Sequence, residues 1–140
     1  MTSGFALDPR LAADTHLVGE LALSRLLLMD DARFPWLILV PRIAGARELI
    51  DLDATDQRSL LAELAGAGRA LEALLRPDKL NVAALGNVVP QLHVHLIARY
   101  ATDAAWPQPV WGVGERVPYD SGARAARIAE LRAALEPMLG

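Results

Sequence analysis

Gly86-Asn87-Val88-Val89-Pro90-Gln91-Leu92-His93-Val94-His95-Leu96-Ile97 carries two of the three histidines of the chain, one residue apart and set among apolar neighbours. On an extended strand successive side chains turn to opposite faces. Gln91, His93, His95 and Ile97 therefore share one face, and Leu92, Val94, Leu96 and Ala98 the other. One face can pack against a core while the other carries chemistry. Imidazole titrates nearest to neutrality of all side chains, so two aligned rings can supply a nucleophile, an acid or base, or a pair of metal ligands.

Working outward, Lys79 to Leu85 reads as a further strand, joined through the turn Gly86-Asn87 to the histidine strand as a hairpin. Upstream, Asp51-Leu52-Asp53-Ala54-Thr55-Asp56 is rich in capping residues. It precedes Leu60, Leu64, Leu71 and Leu75 at helical spacing, and Arg76-Pro77 ends that long helix. Its small-residue middle, Ala65-Gly66-Ala67-Gly68, predicts close approach by a neighbouring sheet. Leu17 to Leu21 and Arg25 to Met29 form a first hairpin, and Trp36-Leu37-Ile38-Leu39-Val40, apolar throughout and closed by Pro41, reads as a central strand covered on both faces. After Tyr100 the chain is loop-like, until a final amphipathic helix from about Ser121 presents Ile128, Leu131, Leu135 and Met138 to the core. The order β-β-β-α-β-β-α predicts an α+β domain with a mostly antiparallel five-stranded sheet, one long helix and a C-terminal helix, the whole chain forming one domain.

Composition limits the functions available. At 140 residues, 53% hydrophobic and 22% charged, the chain is a globular domain with a core of ordinary size. Its net charge of -3 gives no footprint for nucleic acid, so an anionic ligand must be held by local groups. The absence of cysteine excludes disulfides, thiolate metal sites and cysteine nucleophiles. Neither a secretory leader nor a membrane-length apolar run is present, which predicts a cytoplasmic protein without a membrane partner.

The neighbours of the histidine pair lean toward phosphate. A Gly-Asn turn offers main-chain N–H groups, and Asn81, Asn87 and Gln91 add neutral donors. Such donors bind phosphoryl oxygens without pairing off an imidazole, whereas carboxylates would repel the substrate. A zinc reading competes. It lacks ligands, because His16 is the only other histidine and no carboxylate lies near His93 and His95 in sequence.

These residues carry a family resemblance. Gln91-Leu92-His93-Val94-His95-Leu96-Ile97, preceded by Gly86-Asn87-Val88-Val89, resembles the histidine-triad (HIT) motif, with Gln91 in place of the first triad histidine. The hairpin ending Met29-Asp30, the strand Leu37 to Arg42, the long helix and Lys79-Leu80-Asn81-Val82 occur in the family's order, so the likeness spans roughly residues 16 to 100. It is nearest to bacterial HIT-like proteins of the diadenosine-tetraphosphate-hydrolase-like kind. The resemblance implies that His93 is a nucleophile that attacks a nucleotide α-phosphorus to form a covalent nucleotidyl-histidine. It also implies that His95 orients the His93 ring through its carbonyl and meets the phosphate through its side chain. Asn87, Asn81 and Gln91 would then contact phosphate, and Asp30, with Asp31 an equal alternative, the ribose hydroxyls. No resident metal or cofactor is implied, although a divalent ion can accompany a polyphosphate substrate. The partners implied are a nucleotide and a second copy of the chain; Trp106 and Trp111 read first as packing residues, and the resemblance adds the option that such C-terminal aromatics come near the partner's site.

The departures from the pattern set a second expectation. Gln91 cannot carry a proton, Trp36 or Leu37 stands where many members have a further histidine, and Val88 stands where a phosphate-binding serine is common. Such a site favours leaving groups that depart as stable anions, and it equally suits a nucleotide-binding sensor without turnover. His16 reads as a surface or packing residue rather than a catalyst, and Arg42, Arg99 and Lys79 read as solvated charges rather than phosphate clamps.

Overall fold

The computed structural model describes residues 4–140, so the leader-free reading of Met1 to Ser3 lies outside the described residues. A short helix α1 (Pro9–Asp14) precedes strands β1 (Thr15–Glu20), β2 (Ser24–Met29) and β3 (Trp36–Pro41). The long helix α2 (Ala54–Leu75) follows, then β4 (Lys79–Ala83), β5 (Val94–Arg99) and the C-terminal helix α3 (Ser121–Leu135). Neighbouring strands are all antiparallel, in the order β1-β2-β3-β5-β4, so the histidine strand lies between β3 and β4.

Each helix follows from local chemistry. Asp53 caps α2 by accepting from the Asp56 N–H at 2.8 Å, and Arg76 ends it in the left-handed conformation ahead of Pro77. Asp120 caps α3 by accepting from the Ala123 N–H at 2.7 Å. Asp8 does the same for α1 through Arg10, with Pro9 at the first helical position. That helix is absent from the sequence-based expectation, being a single amphipathic turn and a half with only Leu11 buried.

Strand parity divides the core. Leu26, Leu28, Leu37, Leu39, Leu92, Val94 and Leu96 pack on α2 and α3 through Leu60, Ala67, Leu71, Leu131 and Leu135. On the other face, Leu27, Trp36, Ile38, Val40 and Ile97 meet Leu11, Phe34, Ala105 and Val110. Every residue of β3 is buried, as its unbroken apolar run predicts. A fully buried leucine contributes about 2 kcal/mol, so both layers are needed to hold the sheet. The close approach expected at the small stripe of α2 occurs at Gly68, where a Cβ would meet Leu80 Cδ1 at 3.2 Å.

Two expectations need correction. The β4–β5 connection is a ten-residue loop, 84–93, rather than a tight hairpin, because Pro90 and the positive φ of Gly86 keep it out of the ladder. Arg42 and Arg99 are buried rather than solvated. Arg99 is 1% exposed, forked onto Asp103 at 2.8 and 3.0 Å, and Arg42 bonds Glu20 and the carbonyls of Leu21 and Ala22. A buried guanidinium requires such partners, and these are carboxylates and carbonyls that the fold brings from elsewhere. Lys79 is exposed, as expected. Among the described residues no helix is long and apolar enough to cross a membrane.

Candidate functional site

His93 is the last residue of the 84–93 loop and His95 the second of β5, and their ring centroids lie 5.0 Å apart at 71°. The alternation expected of this segment holds across the loop end: Leu92, Val94 and Leu96 enter the helix-side core, while His93 and His95 line a cleft on the opposite side. Both rings are largely enclosed, at 8% and 4% exposure.

Each ring is oriented by one hydrogen bond. His93 Nδ1 lies 2.6 Å from the carbonyl of Gln91, which can only accept, so the proton sits on Nδ1 and Nε2 carries the free lone pair. The orienting carbonyl therefore belongs to Gln91, and not to His95 as the resemblance implied; the peptide that carries it lies before the β5 ladder and is fixed by its Leu92 N–H donating to the Ala46 carbonyl at 3.0 Å. His95 Nδ1 accepts from the indole N–H of Trp36 at 2.9 Å, across the β3–β5 pairing. Trp111 closes on the same ring, 4.9 Å from His95 and 5.5 Å from Trp36 in edge contacts. Burial, and secondarily the charge of His93, pushes the His95 pKa down to about 4, so this ring is neutral at pH 7.

The cleft has a volume of about 630 Å³. One wall is α1, through Arg10, Leu11, Ala13 and Asp14, and the other is the loop 85–89 with its Gly86-Asn87 turn. Arg10 is the one cation lining it among the described residues. A smaller cleft of about 230 Å³ lies against the same His93, bounded by Arg47, Glu48, Gly86 and Gln91. His93 thus stands between two hollows, each with one arginine.

The expected site residues are placed unequally. His93, His95 and Asn87 meet at the larger cleft, and Gln91 lines the smaller one. Both ends of the Gln91 amide are engaged by the N-terminal segment, its oxygen accepting from Asp8 N–H and its nitrogen donating to Ala6 carbonyl, each at 2.8 Å. Asn81 lies apart, accepting from Arg99 at 2.9 Å. Asp30 also lies apart, because parity turns Met29 toward the cleft and Asp30 away from it. Asp30 accepts from Tyr119 N–H at 3.0 Å and sits 3.1 Å from His16 Nε2. Asp31 is buried and held in a fork by Arg33. The carboxylate that does line the cleft is Asp14, which the sequence reading missed together with Arg10. The cap-and-proline signal Asp8-Pro9 was the only trace of their helix. Trp111 serves its own chain's His95, whereas Trp106 stacks beside Arg99, 5.8 Å from the guanidinium.

The comparisons with known proteins bear on the family and the fold. No curated protein matches the chain. Among solved structures, a histidine triad protein from Bradyrhizobium japonicum is 49% identical, with 93% of this chain and 97% of that chain covered and a TM-score of 0.90. One from Marinobacter aquaeolei VT8 is also 49% identical, covering 96% and 98% with a TM-score of 0.93. A third, from Sinorhizobium meliloti 1021, is 41% identical over 95% and 98%, with a TM-score of 0.92. The family model described as the HIT domain matches residues 10–102, and the chain belongs to the histidine-triad family.

Proposed function

We propose that this protein hydrolyses a nucleotide phosphoanhydride, of the dinucleoside polyphosphate class, through a covalent nucleotidyl-histidine on His93. Family membership supports the coarser statement, a nucleotide-binding or hydrolase-type function. The single observation that carries the finer one is the Nδ1 contact of His93 with the Gln91 carbonyl, which leaves Nε2 as a free nucleophile at the wall of the cleft.

In the first step the Nε2 lone pair forms a bond to the α-phosphorus. The bond from phosphorus to the bridging oxygen breaks, and its electron pair leaves on that oxygen as a phosphate anion. The ring becomes an imidazolium whose Nδ1–H the Gln91 carbonyl holds. In the second step a water oxygen bonds to phosphorus, the N–P pair returns to Nε2, and one water proton passes to solvent. The product is a nucleoside monophosphate.

His95 supplies an N–H donor to the phosphoryl oxygens, Asn87 a neutral donor from the facing loop, and Arg10 a positive charge for the phosphate chain. Gln91 holds the N-terminal segment that leads into the α1 wall. Asp14 replaces Asp30 as the carboxylate for ribose hydroxyls. A divalent ion accompanying the polyphosphate belongs to the substrate, and the chain acts as a homodimer in the cytoplasm.

The test is a panel of adenylated and guanylated substrates offered to wild type and His93→Ala, with and without chelator. Turnover that survives chelation and disappears with His93 supports the reading. Nucleotide binding without turnover by the wild type would convert it to a sensor, and stoichiometric zinc held by His93 and His95 would replace it with a metalloenzyme.

A further inference from the structure

We infer that Trp36 is a positioning residue, which locks His95 into its Nε2–H tautomer and so makes it a hydrogen-bond donor in the cleft and never a base. The role rests on the reading above only for its effect on turnover; the lock itself is a property of the resting protein.

An indole N–H donates and cannot accept. With Trp36 Nε1 2.9 Å from His95 Nδ1, that nitrogen must offer its lone pair, and the single proton of a neutral ring is left on Nε2. Among the described residues no hydrogen bond engages Nε2, and the ring lines the cleft, so this proton faces ligand space. A histidine at position 36 could reverse its polarity by exchanging tautomers. Tryptophan cannot, and the assignment becomes one-way.

The lock is held from several sides. Trp36 is 5% exposed and begins β3 opposite Ile97, and Phe34 and Trp111 fix its plane by edge contacts at 6.4 and 5.5 Å. His95 is paired through the ladder with Ile38 and Ala83 and covered by Trp111. Neither ring can turn without opening the sheet face. The division of labour on the active face follows: one nitrogen, His93 Nε2, is basic toward phosphorus, and one, His95 Nε2, is a fixed donor to its oxygens. The non-titrating Gln91 takes no part in proton traffic.

The test separates structure from activity. Long-range nitrogen–proton NMR on uniformly labelled protein reads the His95 tautomer without substrate. Wild type should show a single Nε2–H form. Trp36→Phe, which keeps an aromatic ring and removes the donor, should show both tautomers, with kcat lowered about 10- to 100-fold and KM changed less than about threefold. Trp36→His should recover part of that kcat. If Trp36→Phe fails to fold, benzothienylalanine at position 36 has the indole's shape without the N–H and gives the same comparison. A wild-type Nδ1–H tautomer, or a single Nε2–H tautomer retained when the indole N–H is gone, overturns the lock. Unchanged kcat in a tautomer-mixed variant overturns its role. If the wild type turns over no substrate in the panel, the hydrolase reading fails while the tautomer measurement still decides the lock.

Discussion

The Nδ1 atom of His93 lies 2.6 Å from the main-chain carbonyl of Gln91, two residues earlier in the same loop. The side chain of Gln91 faces a different task, holding Ala6 and Asp8. One residue therefore aims the His93 ring with its backbone and anchors a wall of the cleft with its amide. A substitution at this position tests only the second function, because every residue supplies the carbonyl.

His93→Ala is expected to lower kcat/KM by at least about 1000-fold while nucleotide binding stays measurable, since the cleft walls survive and only the attacking atom is lost. Acid quench with a radiolabelled substrate should trap label on His93 in the wild type and none in the variant. Retention of more than about a tenth of the wild-type rate, a barrier change of roughly 1.4 kcal/mol, removes the covalent mechanism.

Gln91→Ala is expected to loosen the segment before α1, raising KM about three- to tenfold with kcat nearly unchanged. Amide exchange at residues 8–14 should quicken in parallel. Arg10→Ala should raise KM to a similar extent, and the double variant should cost less than the two single effects combined, because freeing the wall already displaces Arg10. Full additivity would mean that the amide of Gln91 does not position Arg10.

Much of this was legible in the sequence, and what was not has a common cause. The alternation around His93 and His95, the unbroken apolar run of β3 and the caps of α2 are local signals, and each predicted what the fold contains. The burial of Arg99 depends on Asp103 folding back over it, and the contact of Trp36 with His95 depends on β5 inserting beside β3, 59 residues away in sequence. Asp30 was misplaced by one residue of parity, since the strand's alternation gives the cleft to Met29. Non-local pairing and strand parity decide such positions, and neither is written in a short window.

The neutral, buried His95 should make the fold acid-sensitive. Its folded pKa of about 4 lies below the ordinary 6.5, so the unfolded chain binds the extra proton first. The contribution to stability is complete above about pH 6.5 and is lost as pH falls toward 4. The full window corresponds to roughly 3 kcal/mol as an upper bound. Urea midpoints of wild type should fall between pH 7 and 4.5 more steeply than those of His95→Gln, which has no proton to gain. Parallel lines for the two proteins would place the acid sensitivity elsewhere.

Among the described residues β4 is an edge strand paired only with β5, and the nearby Leu61 and Val82 are 68% and 57% exposed. An open edge beside exposed apolar side chains favours association. Sedimentation at micromolar concentration should give about 30 kDa, twice the 15.1 kDa chain. Val82→Glu should shift the protein to monomer. Since Trp111 closes the site within its own chain, the monomer should keep its nucleotide affinity within about threefold.

Substrate preference follows from the protons this site lacks. Gln91 cannot titrate, and His95, neutral down to about pH 4, offers a hydrogen bond but not a proton to a departing group. A phosphate leaving group departs as a stable anion and needs no acid, whereas an alkylamine leaving from a phosphoramidate must be protonated as the N–P bond breaks. At pH 7, kcat/KM for diadenosine polyphosphates should therefore exceed that for adenosine alkylphosphoramidates by more than about tenfold. The gap should narrow as pH falls toward 5, where solvent protonates the amine in place of the enzyme. A wild type that prefers the phosphoramidate at neutral pH would require a proton donor near the leaving group. With His16 turned away onto Asp30, that result would point to an arrangement in which the Trp36 bond opens during turnover and lets His95 take up a second proton.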